Sequence, residues 1–398
     1  MTTIFTQAVH AGEREHLPGT APVTTPIYHS VGYLQDTAQH MEDIFSGQEP
    51  GYVYRRYESP TVVAFERAMA VMENGEAAFA TSSGMAAVHG ALLAAGVRAG
   101  TSVVAARDCY GATYSLLSTL LSEQGVSTHF VDVTNLDEVR RTCQQEKPVA
   151  LLVETISNPL LKVADIPSLA AISRSASASL IVDSTFATPY LCQPLQLGAD
   201  YVVHSVSKYI GGHGDVLAGI VATATSNRQE LFALEKHLGA VLAPEVAWLA
   251  LRGLKTLPLR MRQQCHNAAA IAEWLTTHPA VARVHYPGLP WHPQHTLARE
   301  QFEQRGFGGM ISFELAKGIQ AAAFRFLDAL SLVLPATTLG DVYSLALYPR
   351  MASHRAVPES ELERLGIGEG LLRLSVGIED IVDLLADLDR ALTAAHQG

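Results

Sequence analysis

Hydrophobic and polar positions fall into distinct regimes along the chain. Residues 1–60 show weak periodicity and are rich in Pro, Gly and Tyr. They read as an extended arm, and an arm of that length needs a surface to lie on. From Thr61 the pattern turns helical, with Val62, Phe65, Met69 and Met72 on one face and Asn74-Gly75 as the stop. Short apolar, β-branched runs then alternate with helical stretches. The runs are Thr101–Ala105, Thr128–Val133, Val149–Glu154, Leu180–Asp183 and Tyr201–Ser205. Apolar strands alternating with helices predict a mostly parallel sheet covered on both faces. Ligands in such sheets meet the carboxyl ends of the strands.

The pattern changes again near Pro244. Val246, Leu249, Ala250, Gly253, Leu254, Leu257 and Met261 mark one helical face, which Pro258 is predicted to kink. Val281–Tyr286, Met310–Glu314, Ser331–Leu334 and Leu371–Val376 are strand candidates among helices. The resulting division is an arm over 1–60, a large α/β domain over 61–245 and a smaller α+β domain over 246–398.

Composition narrows the function classes. The 398 residues are 48% hydrophobic and only 17% charged, which excludes a disordered chain, a collagen and a coiled coil. So few charges suggest a sizeable buried subunit interface. The net charge of -11 argues against nucleic acid and anionic membranes as partners, though not against a small anion bound locally. No apolar run is long enough to span a bilayer, and MTTIFTQAVH does not read as a secretory leader. Cys109, Cys143, Cys192 and Cys265 lie far apart without a CxxC pair, as expected of reduced, buried thiols in a cytoplasmic protein.

Several strand ends carry candidate chemistry. Tyr201–Ser205 delivers Ser205, Ser207 and Lys208 ahead of a Gly-rich loop. A desolvated lysine there suits Schiff-base chemistry, and the hydroxyls suit a phosphate; a surface lysine is the plain alternative. Asp183 at its strand tip could hold a ring nitrogen protonated, or merely cap a turn. Thr81-Ser-Ser-Gly84-Met85 opens a helix whose free N–H groups can cradle phosphate, or be capped by Ser82 or Ser83. Tyr110 could stack on a flat ring and donate a proton, or simply pack. Arg373, inside an apolar strand, needs a partner: a substrate carboxylate, or a structural acid, which is favoured in isolation. His292 and His295 invite a metal reading, but Pro293 blocks a regular helix there and no ligand cluster lies nearby, so no metal site is expected. His213 reads as a loop-shaping residue.

In order and spacing these segments resemble the pyridoxal-phosphate enzymes of cysteine and methionine metabolism. That family includes cystathionine γ-lyase, methionine γ-lyase, cystathionine γ-synthase and the O-acylhomoserine sulfhydrylases. The matching blocks run from Tyr54-Arg-Arg56 through Ser82-Ser-Gly-Met, Tyr110-Gly, Glu154-Thr-Ile-Ser-Asn158-Pro, Val182-Asp183-Ser-Thr and Ser205-Val-Ser-Lys208-Tyr to Arg373-Leu-Ser-Val-Gly. The resemblance implies a fold-type I transferase and pyridoxal 5'-phosphate as cofactor. It implies Lys208 as the Schiff-base lysine and proton shuttle, and Asp183 on the ring nitrogen. Tyr110 would stack on the ring and serve as candidate acid for the leaving group. Gly84, Met85, Ser205 and Ser207 would bind the phosphate, with Tyr54 and Arg56 reaching it from a neighbouring subunit. Asn158, Thr338 and Arg373 would position a small amino-acid substrate. The implied assembly is a homotetramer of two catalytic dimers.

Departures bear on the substrate. Ser59 and Ser184 stand where Asn is usual, Ala112 where methionine γ-lyases carry Cys, and Tyr343 where cystathionine-processing members carry Glu. Glu58 and Glu235-Lys236 are also unusual, and the two carboxylates could meet a cationic substrate. The motifs lean towards the methionine γ-lyase branch. The expected reaction is γ-elimination giving 2-oxobutanoate and ammonia. The alternatives are γ-replacement, a canavanine-type lyase giving homoserine, and a cofactor-binding relative without lyase activity.

Overall fold

The computed structural model describes residues 2–14, 21–355 and 357–397. Each apolar run of the first half forms a strand of one sheet. The strands are β1 (Ala77–Thr81), β2 (Ser102–Ala106), β3 (Ser127–Val131), β4 (Ala150–Glu154), β5 (Ser179–Asp183), β6 (Tyr201–Ser205) and β7 (Gly219–Thr223), in the spatial order β1-β7-β6-β5-β4-β2-β3. Only β7 runs antiparallel to its neighbours. Side-chain alternation divides the residues between two cores. Ala150, Leu152, Ile181 and Val203 pack with Leu92 and Leu117 on one face. Leu151, Val153, Val182 and Val202 pack with Phe65 and Met69 on the other. A sheet with both faces covered has its polar openings only at strand ends, so the carboxyl ends of β4, β5 and β6 share one rim.

The second half builds a smaller sheet from β8 (Val281–His285), β9 (Met310–Leu315), β10 (Leu334–Pro335), β11 (Leu345–Leu347) and β12 (Leu371–Ser375), ordered β10-β11-β12-β9-β8. Helices Gln320–Ala329 and Ile381–Gln397 cover it through Phe326, Leu384 and Leu388. Among the described residues no helix is both long and apolar enough to cross a membrane.

Some expectations need correction. The first 60 residues are not wholly extended, since they contain helices Ile4–His10 and Ala38–Phe45; residues 15–20 lie outside the described residues. Strands β1, β7 and β11 are not among the expected runs; β1 and β11 carry no β-branched core, whereas β7 does, with Ile220, Val221 and Thr223. Ser331–Leu334 contributes only its last residue to β10. Pro258 does not kink a helix. One helix ends at Leu254, and Pro258 sits in the first turn of the next, Leu257–Leu275, where a missing N–H breaks no bond.

Candidate active site

The rim of β4, β5 and β6 opens into a cavity of about 440 Å³ that gathers Gly84, Met85, Tyr110, Asn158 and Asp183 with Ser205, Ser207, Lys208 and Arg373. Helix Gly84–Ala94 points its N-terminus into it. Ser83 caps that helix by accepting the Ala86 N–H at 3.1 Å. A Cβ at Gly84 would stand 2.8 Å from the Cβ of Ser205, so only glycine lets the helix start approach the end of β6. The remaining N–H groups of the first turn form an anion cradle.

Lys208 lies in the turn after β6, where its Nζ donates to Thr338 Oγ1 at 3.0 Å. Burial first, and the Arg373 charge second, lower its pKa; Asp341 opposes them. The neutral amine is therefore more accessible than on an ordinary lysine. Asp183 ends β5, and its Oδ1 accepts from the N–H of Thr185 at 3.0 Å and from its hydroxyl at 2.5 Å. Burial raises the pKa of Asp183, while the Thr185 bonds and the His204 charge work against that rise. Thr185 also accepts the Ser205 N–H at 2.9 Å, tying β5 to β6. The Ser207 hydroxyl accepts the Ala218 N–H at 3.1 Å while it lines the cavity.

Arg373, 3% exposed in the middle of β12, resolves an open choice. Its Nη1 donates to Asn158 Oδ1 at 3.0 Å and its Nη2 to the Thr338 carbonyl at 3.4 Å. Among the described residues no carboxylate pairs with it, so the structural acid favoured for an isolated arginine is not what it meets. Burial pushes its pKa down to about 10. A buried guanidinium facing a cavity without a counter-ion is a ready site for a carboxylate.

Two partners of this machinery escape a reading of the sequence. Glu154 gives Oε1 to the Tyr110 N–H at 2.6 Å. His354 is buried, pairs Nδ1 with Ser353 Oγ at 2.9 Å, and has its pKa pushed down to about 4 by burial and then by Arg373. It is therefore neutral at physiological pH. Their significance lies in contacts with residues distant in sequence, which no local motif signals.

The chain matches the family described as Cys/Met metabolism PLP-dependent enzyme over residues 5–393. The chain belongs to this family. It is 42% identical over 390 residues to an L-methionine gamma-lyase of Fusobacterium nucleatum subsp. polymorphum, covering 97% of each chain. It is 43% identical over 393 residues to a cystathionine beta-lyase of Lactococcus lactis subsp. cremoris, covering 98% of this chain and 99% of the relative. The crystal structure of metB from Corynebacterium glutamicum superposes with a TM-score of 0.92 at 39% identity, covering 100% of this chain and 99% of the other. The protein is thus a fold-type I enzyme of the Cys/Met metabolism family, it uses pyridoxal phosphate, and it acts on a small amino acid. The cavity fits that cofactor. It offers an amine for an aldehyde, a buried carboxylate for a ring nitrogen, and a glycine-opened helix N-terminus for a phosphate.

Not every residue named from the sequence meets in this cavity. In this family member Tyr54 and Arg56 lie away from their own chain's Lys208. Arg56 donates to the Lys236 carbonyl, and its guanidinium stands 5.4 Å from the Tyr54 ring centroid and 5.1 Å from that of Tyr57. Glu58, expected beside the substrate, pairs instead with Arg228 at 2.8 Å, and Arg228 also holds Glu66 at 3.0 Å. Glu235 is buried and accepts the Ala240 N–H at 3.1 Å, closing the turn after its helix. With Glu58 neutralised and Glu235 committed to that turn, the two carboxylates do not meet a common cation. Tyr343 lies outside the cavity. Its hydroxyl covers Gly214, where a Cβ would come within 2.3 Å of it. His213 turns back on its loop, with Nδ1 2.8 Å from the Gly211 carbonyl.

Proposed function

We propose that the enzyme catalyses γ-elimination on an amino acid carrying a heteroatom at Cγ, releasing 2-oxobutanoate and ammonia. The observation that carries this reading is the pairing of Lys208 with Arg373. An amine biased towards its neutral form stands beside a guanidinium that pairs with no carboxylate among the described residues, around one cavity. The cofactor, when bound, supplies an electron sink for the pair of electrons left at Cα.

The chain's own residues do the rest. Gly84 and Met85 N–H groups with the Ser205 and Ser207 hydroxyls would hold the phosphate. The Asp183 carboxylate would hold the ring nitrogen. Arg373 and Asn158, steadied by Thr338, hold the substrate carboxylate. Lys208 Nζ would take the Cα proton, give it up within the site, and only then, as the neutral amine again, take one from Cβ, which it returns to the product carbon. The Tyr110 hydroxyl donates to the leaving heteroatom. Tyr54 and Arg56 complete the site of a neighbouring subunit.

A substrate panel tests the reaction. Methionine, homocysteine, cystathionine and O-acylhomoserine are supplied with and without an added thiol, and products are scored as 2-oxo acids and as new amino acids. The expected product is 2-oxobutanoate without any need for the thiol. Pyruvate alone, or an amino-acid product formed only with the thiol, would replace γ-elimination by β-elimination or γ-replacement.

We further read the assembly as a homotetramer of two catalytic dimers. The arm supports this by leaving Val23, Val31, Leu34 and Phe45 exposed, which is costly in water unless another chain covers them. Light scattering is expected to return the mass of four chains, and the mass of one would overturn the assembly. Four buried, unpaired cysteines suit a reducing, cytoplasmic setting.

A further inference from the structure

Glu154 is the carboxyl of this cavity that the mechanism leaves unused. It ends β4 and stands in register with Asp183, which ends β5, so the two carboxyls leave neighbouring strand ends on one face. Both line the cavity. Glu154 Oε1 accepts the backbone N–H of Tyr110 at 2.6 Å, and Tyr110 begins the helix Gly111–Ser115 without capping it by its own side chain. The Asn158 backbone also bonds Glu154, and Asn158 Oδ1 accepts from Arg373 at 3.0 Å. Glu154 thus joins the Tyr110 loop to the pair that faces the substrate carboxylate.

A cation is what Glu154 lacks. Among the described residues no Lys, Arg or His forms an ion pair with it. Lys162 stands 3.5 Å from Asp108 and 3.5 Å from Asp132. Arg373 goes to Asn158, and His204, which acts on Asp183, is bound to Glu73 at 2.5 Å. The titratable groups facing Glu154 are the acids Asp183 and Asp108 and the thiol of Cys109. Burial first, and then Asp183, raise its pKa well above the ordinary value, against the backbone bonds from Tyr110 and Asn158, which pull it down. Two carboxyls on neighbouring strand ends repel each other as anions, which favours keeping one of them protonated. Asp183 has both Thr185 donors on one oxygen and a ring nitrogen to meet.

We propose that Glu154 is a positioning residue that works as a neutral carboxylic acid, fixing Tyr110 through Oε1 and leaving Asp183 as the only anion against the cofactor ring. The inference rests on the functional reading above. Glu154→Gln keeps both the neutral charge and the accepting oxygen, whereas Glu154→Ala removes the acceptor. With the cofactor bound, Glu154→Gln is expected to keep kcat within about threefold of the parent, and Glu154→Ala to lose about 30-fold in kcat as Tyr110 shifts. The visible cofactor band should titrate at the same pH in Glu154→Gln as in the parent. An ionised Glu154 would instead make Gln move that titration down by about one pH unit, as loss of a neighbouring anion does. A loss in Glu154→Gln as deep as in Glu154→Ala, or an unchanged Glu154→Ala, overturns the proposal.

Infrared difference spectra give a readout that needs no turnover. A protonated-carboxyl stretch at neutral pH should be present in the parent and absent in Glu154→Gln, and its absence from the parent overturns the proposal. A parent chain that takes up no pyridoxal phosphate would sink the functional reading instead, while the same spectrum still decides the protonation of Glu154.

Discussion

Lys208→Ala is expected to lower kcat by more than about 10⁴-fold, because one side chain is asked both to bond the cofactor and to carry the protons. The geometry makes the two duties compatible. Thr338 Oγ1 holds Nζ at 3.0 Å, and burial with Arg373 favours the neutral amine. Activity should accordingly rise as pH climbs through the lowered pKa of this amine, at a pH below the range of an exposed lysine. The variant should fold, since the side chain leaves only one hydroxyl contact behind. The visible band that pyridoxal phosphate gives with the parent should be missing from it, and borohydride should fix no cofactor to the chain. A Lys208→Ala protein that turns over substrate within tenfold of the parent would place the chemistry on another residue.

What was legible in the sequence follows from which forces are local. Buried parallel strands must be apolar throughout, so β2, β4, β5 and β6 announce themselves within a residue or two, the edge strand β3 is marked instead by Thr128, Phe130 and Val131, and Asp183, Ser205 and Lys208 are visible because they interrupt or follow apolar runs. Strand β1 is alanine-rich, and its pairing with β7 joins Ala77 to Thr223. Such a pairing leaves no trace in a window of ten residues. The same limit hid Glu154, whose meaning lies in its register with Asp183, and it misplaced Glu58, whose partner Arg228 is 170 positions away. Closeness to a motif along the chain does not imply closeness to the substrate in space. The ion pair with Arg228 answers the charge of Glu58 within its own chain, so this carboxylate lends no support to a cationic substrate there.

Arg373→Leu should separate binding from stability. In the substrate-free protein the guanidinium is 3% exposed and holds only the Asn158 amide oxygen and the Thr338 carbonyl. A buried charge without a counter-charge costs several kcal/mol, whereas the two acceptors left behind cost about 1–3 kcal/mol each. The thermal midpoint of the variant should therefore stay level or rise. Loss of a bidentate, charge-assisted grip on the substrate carboxylate should cut kcat/KM by about 10³-fold, equivalent to about 4 kcal/mol. Arg373→Lys keeps the charge but not the fork, and should recover only part of that loss. The cofactor band should survive in both variants, because neither replaces Lys208, Asp183 or the helix start at Gly84, although Arg373→Leu also removes the charge that lowers the Lys208 pKa. A falling midpoint with unchanged kcat/KM would mean that Arg373 is a structural residue after all. A rising midpoint with lost turnover would mean that the chain holds an uncompensated charge in its interior because the substrate supplies the missing anion.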